Sequence, residues 1–273
     1  MASASATRLT KHDLSILEKI KDPEAGPSAP LVIDESLPRD PHVTDSERYN
    51  SVTGRERTII SSMQALELQI AGQNPTSSTA PVLAQYLDCI KSLDQLIEEY
   101  PHYASARNNR AQALRRIYGD GMLVRTPAIS KDEAPILDPS ASDAIIISTS
   151  KAILTDLSMA ISLLTPPTAF SPLSPQAAKT LSQAHTQRGA LYHLTAKRLA
   201  SKESELRIDE NRREARWKSV DFEENASRDF WMGGRYGNEL AKALAVSANP
   251  TAKLCGEMVK EAMRKEYGGG TGA

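Results

Sequence analysis

Residues 81–114, PVLAQYLDCIKSLDQLIEEYPHYASARNNRAQAL, decide the fold. Their first half sets Leu83, Tyr86, Leu87, Ile90, Leu93, Leu96 and Ile97 mostly three and four residues apart. That spacing stacks side chains on one face of an α-helix. Pro81 stands near the first turn, where a missing N–H costs nothing. The stripe stops at Tyr100-Pro101, since proline blocks further helix. A second helical run follows at Ala104-Ser105-Ala106-Arg107-Asn108-Asn109-Arg110-Ala111-Gln112-Ala113-Leu114 and continues to Tyr118, before Gly119-Asp120-Gly121. The unit is helix, turn, helix.

The same pattern extends in both directions. Upstream, Ile59, Ile60, Met63, Leu66 and Ile70 mark a helix from about Thr58, ended by the polar run 73–79. Downstream, a polar, proline-containing insertion at about 120–142 leads to a helix over about 143–164, with Ile153, Leu154, Leu157, Ala160, Ile161 and Leu164 on one side. Ser174-Pro175 is an N-cap and first-turn pair for a helix over about 175–200. Residues 197–220 interleave both charge signs densely, which predicts a solvated helix and gives a second insertion at about 196–220. Helices are expected over about 219–232, 235–247 and 250–266, then a Gly-rich flexible tail at 267–273. No strand is expected, because Ile145-Ile146-Ile147-Ser148 has no partner run of like character. Residues 1–57 read as a mostly flexible arm with one short amphipathic helix at about 10–21. The polar stretch after Asp22-Pro23 has two readings, a solvated tail or an arm that docks back through Leu31-Val32-Ile33.

Composition narrows the function. The net charge is -1, from 33 basic and 34 acidic residues, so no global field draws the chain to nucleic acid or an anionic membrane. The N-terminus lacks the apolar core of a secretory signal, and Ala144–Ile147 is too short to span a bilayer. The expected location is the cytoplasm or nucleus. Cys89 and Cys255 lie far apart outside any CxxC or Cys/His cluster, so no metal site is expected, and both read as reduced, buried fillers. The five histidines form no HExxH spacing, and neither GxSxG nor a Walker loop occurs. Met232-Gly233-Gly234-Arg235-Tyr236-Gly237 reads as a helix break, for it has no preceding strand and no Lys-Ser/Thr. No cofactor and no enzyme activity are expected.

Repetition carries the rest. Leu93–Pro101 and Leu157–Pro166 both place a bulky apolar residue three before a small or apolar one, with a proline after the helix. The helices that precede or follow them carry a small residue where a pair must touch, Ala111 and Gly189. This resembles the tetratricopeptide repeat (TPR), here in three degenerate units interrupted by insertions. The ordered blocks Ala65–Gln69, Ala104–Ala113, Gln187-Arg188-Gly189, Ala226–Phe230 and Asn249–Cys255 are similar to the tetratricopeptide repeat protein 36 family, in a fungal-type form with insertions. The resemblance implies an all-α, right-handed superhelix of three helix–turn–helix repeats plus C-terminal helices, occupying 58–266. It also implies non-catalytic protein binding, with an Hsp70-type chaperone or an enzyme of tyrosine catabolism as partner. In TPR co-chaperones five Lys, Asn and Arg residues clamp an acidic chaperone tail. Only Asn109 matches that set. Glu67, Ala71, Gln183 and Gln187 occupy the other aligned positions, so an acidic-tail clamp is not expected.

The expected partner-binding groove is lined by Asn108, Asn109, Arg110, Gln112, Gln187 and Arg188. For the arginines the alternative is an ion pair between neighbouring helices. Thr165, Ser171 and Ser174 each precede proline and are candidate phosphorylation sites, which keeps a phosphorylation-regulated adaptor as a second functional reading. Trp217, Phe222, Phe230 and Trp231 are expected to pack the C-terminal helices.

Overall fold

A computed structural model describes residues 31–72, 80–125, 136–168, 170–201 and 203–268. The helix expected at about 10–21, the break at 73–79, the centre of the first insertion and the tail beyond Gly268 lie outside the described residues. The described chain is mostly helical: α1 (Ser46–Gly72), α2 (Ala80–Glu99), α3 (Ala104–Tyr118), α4 (Asp143–Leu164), α5 (Pro175–Leu199), α6 (Ser219–Arg235), α7 (Glu239–Ala248) and α8 (Pro250–Gly268). Each helix packs on the next along the chain, and α3 also touches α5. The interior is aliphatic, with Leu93 and Leu96 of α2, Ile153, Leu154 and Leu157 of α4 and Leu181 and Leu191 of α5 fully buried.

Small residues set the helix spacing. A side chain at Gly189 would meet Phe230 at 3.0 Å and Cβ of Asp229 at 3.2 Å, so α5 and α6 are in near-backbone contact there. At the helix break, a Cβ on Gly234 would lie 2.8 Å from Cα of Lys242. The Gly-rich run therefore ends α6 at Arg235 and lets α7 fold back on it.

Several expectations change, the absence of strands among them. α1 begins at Ser46 rather than near Thr58. Asp45 supplies the missed start signal, its carboxylate accepting from the N–H of Arg48 at 2.8 Å. Apolar periodicity fails there because α1 buries polar groups in its first half: Glu56 accepts from the Tyr103 hydroxyl at 2.6 Å and from Asn109 at 2.7 Å. Second, 197–220 is not a continuous helix. After α5 comes strand β2 (Glu205–Leu206), antiparallel to β1 (Val124–Arg125), and then a 3-10 turn (Arg213–Arg216). The charges are used across the fold: Arg207 bonds the Met122 carbonyl and Asp143, Lys151 pairs with Asp209, and buried Glu214 accepts from Tyr192 and Arg212. The two insertions thus bind one another. Third, Trp217, Phe222 and Tyr192 pack edge to face at 5.1–5.8 Å, but Trp231 is 50% exposed, outside that cluster, and Cys255 is exposed while Cys89 is buried.

Over its described part, from residue 31, the arm docks back on the body, the second of the two readings of this stretch. Leu173 exchanges main-chain bonds with the arm, Asp34 N–H to the Leu173 carbonyl at 2.9 Å and Leu173 N–H to the Val32 carbonyl at 3.0 Å. Ser174 donates to the Arg39 carbonyl at 3.0 Å while accepting from Ala177 N–H at the start of α5. The buried Asp40 carboxylate accepts from the N–H of His42 at 2.8 Å and faces the N–H of Ala104 at the start of α3, whose own N-cap residue Tyr103 makes no side-chain cap. His42 bonds the Leu163 carbonyl at the end of α4. One strap therefore joins the ends of α3, α4 and α5.

α4 is the one described helix long and apolar enough to cross a membrane. Its apolar face is spent inside the protein, between α3 and α5, and Asp156 at its middle is paired with arginines.

Two glycine substitutions should move stability in opposite directions. Gly256→Ala in α8, with open space around it, should raise the unfolding free energy by about 0.5–1 kcal/mol. Gly234→Ala, aimed at the α7 backbone, should lower it by about 1–3 kcal/mol. Urea titration followed by circular dichroism measures both.

Candidate functional site: a groove across three helices

One open groove of about 1340 Å³ crosses the inward faces of α1, α3 and α5. Its α1 wall is apolar at Ile60, Met63 and Leu68, with Leu68 76% exposed. The floor carries side-chain amides: Asn109 and Gln112 from α3, Gln183 and Gln187 from α5. Asn238, at the turn into α7, also lines it and donates to Thr186 at 3.1 Å. A smaller cleft of about 570 Å³ lies along β2, where Arg125 and Arg207 both bind Asp143.

The groove is electrically balanced. Arg115 forms a two-pronged contact with Asp120, 2.7 Å and 2.9 Å, and donates to Gln187 at 2.9 Å. Arg116 binds Glu67 at 2.7 Å, and the Tyr86 hydroxyl also donates to Glu67. Burial and the adjacent Glu67 carboxylate push the Tyr86 phenol above its ordinary range, so it stays a neutral donor. These four charged residues lie outside the expected groove set. Arg115, Arg116 and Asp120 look from the sequence like ordinary helix-end polar residues, and only their convergence with α1 places them in the groove.

The expected groove residues separate into two sets. Asn109, Gln112 and Gln187 line the groove. Asn108 is buried beneath it: Gln187 donates to its side-chain oxygen at 2.8 Å, and its own amide lies 3.4 Å from Gln183, tying α3 to α5. Arg110 and Arg188 turn away from the groove. Arg110 grips Asp156 of α4 through two bonds of 2.7 Å, and Arg188 grips Asp229 of α6 at 2.7 Å and 2.8 Å. Both are ion pairs between neighbouring helices, since each carboxylate is buried and needs a partner. The positions aligned with a chaperone clamp, Glu67, Ala71, Asn109, Gln183 and Gln187, do converge on the groove.

Of the three phosphorylation candidates, Thr165 is exposed and bonds the Ile161 carbonyl at 2.6 Å. Ser171 is half-buried and bonds Thr168. Ser174 is buried as the α5 cap. Among the described residues no cluster of three or more His, Cys, Asp or Glu could hold a metal ion.

Burial of Asp229 alone would raise its carboxyl, but hydrogen bonds and charge from Arg188 and His185 outweigh it and hold it below the ordinary carboxylate range. A depressed folded-state value means stability that is present above the unfolded value near 3.8 and lost as pH falls through the folded value. Acid titration of unfolding should show this loss, and Asp229→Asn should flatten it. Arg188→Ala leaves Asp229 buried without its guanidinium and should cost on the order of 3–5 kcal/mol, read by denaturant melts at neutral pH.

No protein-family model and no solved structure matches the chain. It is 38% identical over 270 residues to the L-tyrosine degradation gene cluster protein hmgX of Aspergillus fumigatus, a match covering 97% of this chain and 96% of that protein.

Proposed function

Since the chain belongs to the family of the L-tyrosine degradation gene cluster protein hmgX, we propose that it is a non-catalytic scaffold whose groove holds an enzyme of tyrosine catabolism. The observation that carries the reading is the groove itself. It is open along three helices, balanced in charge, and lined by amides and aliphatic side chains. Such a surface suits a polypeptide: the exposed Gln112 amide can pair with peptide groups whatever the sequence, and Leu68, Met63 and Ile60 offer apolar area to a docked segment. It supplies no paired acid and base of the kind a hydrolase or isomerase needs, because Glu67 and Asp120 are each engaged by arginine.

We read the array as TPR-like, akin to the tetratricopeptide repeat protein 36 family, with α1–α2, α3–α4 and α5–α6 as its three units. What supports this is a repeated interaction. In α3 an arginine followed by a small residue, Arg110-Ala111, grips an aspartate of α4; in α5 Arg188-Gly189 does the same with α6. The aspartates match too, Asp156 four residues before Ala160 and Asp229 four before Gly233. The first unit lacks this pair and is bonded instead by Arg55–Glu99 and Glu67–Tyr86. A right-handed superhelix with the first helix of each unit inside would place α1, α3 and α5 around the groove.

Affinity capture of the tagged chain from cells degrading tyrosine tests the reading. A tyrosine-catabolic enzyme should be enriched, and Leu68→Asp combined with Gln112→Arg, both exposed, should reduce its recovery at least about ten-fold, the equivalent of ~1.4 kcal/mol, with no change in melting temperature. Capture undiminished by the double substitution moves the binding surface elsewhere.

A further inference from the structure

Ile60, Met63, Leu68 and Ala71 share one face of α1 and give the groove an apolar wall, with Leu68 76% exposed. Eleven positions separate Ile60 from Ala71 on α1, and Gln183 from Leu194 on α5. Both sides of the groove are therefore about 16 Å of helix long. The charges between them are already paired, Arg115 with Asp120 and Arg116 with Glu67. An occupant is thus offered apolar area and no fixed countercharge. The chain carries a segment of matching length and chemistry. Residues 10–21, TKHDLSILEKIK, read as an amphipathic helix, which would be about 18 Å long. At about 100° per residue Leu14, Ile16, Leu17 and Ile20 fall within an arc of roughly 160°, and Ser15, Glu18 and Lys19 fall outside it. Lys11, Asp13, Glu18, Lys19 and Lys21 nearly cancel in charge.

We infer that residues 10–21 occupy the groove of their own chain, with Leu14, Leu17 and Ile20 against Ile60, Met63 and Leu68. The strap decides where this segment is held. Val32 and Asp34 are bonded to Leu173, two residues before α5 begins at Pro175. Gln183, the first groove residue of α5, stands only eight positions further on, about 12 Å of helix rise. Residues 22–30 join the segment to the strap and span at most about 30 Å. The tether therefore reaches the groove with length to spare. Lys21 is then at the strap end of the groove and Thr10 toward Leu194, so the segment runs antiparallel to α5. A short tether holds its segment at an effective concentration on the order of millimolar. Weak intrinsic affinity then suffices to fill the groove, and any partner must displace the arm. That competition rests on the groove being the partner's site, as proposed above; the occupancy does not.

Photo-cross-linking of the dilute full chain, with no partner present, is the test. A benzophenone amino acid placed at Leu17 should give adducts within one chain, mapped by mass spectrometry to 60–71 of α1 and to the groove residues of α3 and α5. The same group at Lys19, on the opposite face, should give markedly fewer. Leu68→Asp should lower the yield from position 17 about ten-fold, the equivalent of ~1.4 kcal/mol, with unchanged melting temperature because Leu68 is exposed. Adducts on the exposed apolar residues of α8, adducts on a second copy, or equal yields from positions 17 and 19 overturn the inference. Leu14→Asp with Leu17→Asp should raise recovery of the tyrosine-catabolic enzyme in affinity capture. Groove adducts together with unchanged recovery support the occupancy and count instead against the groove as the partner's site.

Discussion

The arginine–aspartate grip between α3 and α4, repeated between α5 and α6, is the constraint on which the array depends. Each aspartate is almost wholly out of water, the Asp156 side chain 1% exposed and that of Asp229 5%. A buried carboxylate without a partner is intolerable, so the arginine must arrive with its fork aligned. That alignment requires the two helices to lie nearly in contact, and the residue after each arginine is accordingly Ala111 or Gly189. The small residue and the ion pair are two parts of one device. Together they fix the rotation of each helix about its axis, which apolar packing alone specifies loosely.

Rotation, in turn, decides what reaches the groove. With Arg110 and Arg188 turned toward the second helices, the neighbouring Asn109 and Gln187 point inward, and Asn108 and Gln187 lock α3 to α5. The arginines that do enter the groove come from one helical turn further along α3 and arrive already neutralised. A surface of this kind has little long-range pull on a charged partner. Under the proposed function, selectivity for a polypeptide would come from shape and from the apolar α1 wall.

Long apolar stripes were legible in the sequence. The steps of three and four from Leu83 to Ile97, and Ser174-Pro175 as cap and first turn, gave α2 and the start of α5. Legibility failed where burial is polar or partners are distant. The first half of α1 hides Thr53 and Glu56 rather than a leucine stripe, so its helix looked like linker. The charged run after α5 has the composition of a solvated helix, yet its Arg207 answers Met122 of the first insertion, 85 positions away, and Asp143 at the start of α4, 64 positions away. Local pattern cannot report such pairing. In the groove, the amides and Glu67 were legible from the alignment with a chaperone clamp, and the charges of Arg115, Arg116 and Asp120 were not, because their placement depends on how α1 lies against α3.

The strap formed by residues 31–45 has a consequence for how the molecule comes apart. In a row of helices packed each on the next, neighbours touch neighbours, and ends can fray independently of the middle. Here Val32, Asp34 and Arg39 are bonded to Leu173 and Ser174, and His42 to Leu163, across 121 to 135 positions of chain at the side-chain contacts. Such a tie turns an open row of helices into a closed circuit. α1 cannot peel away without releasing the contacts the strap makes at the starts of α3 and α5, so the helices it ties melt together, at the expense of the slow loop closure that long-range contacts impose on folding.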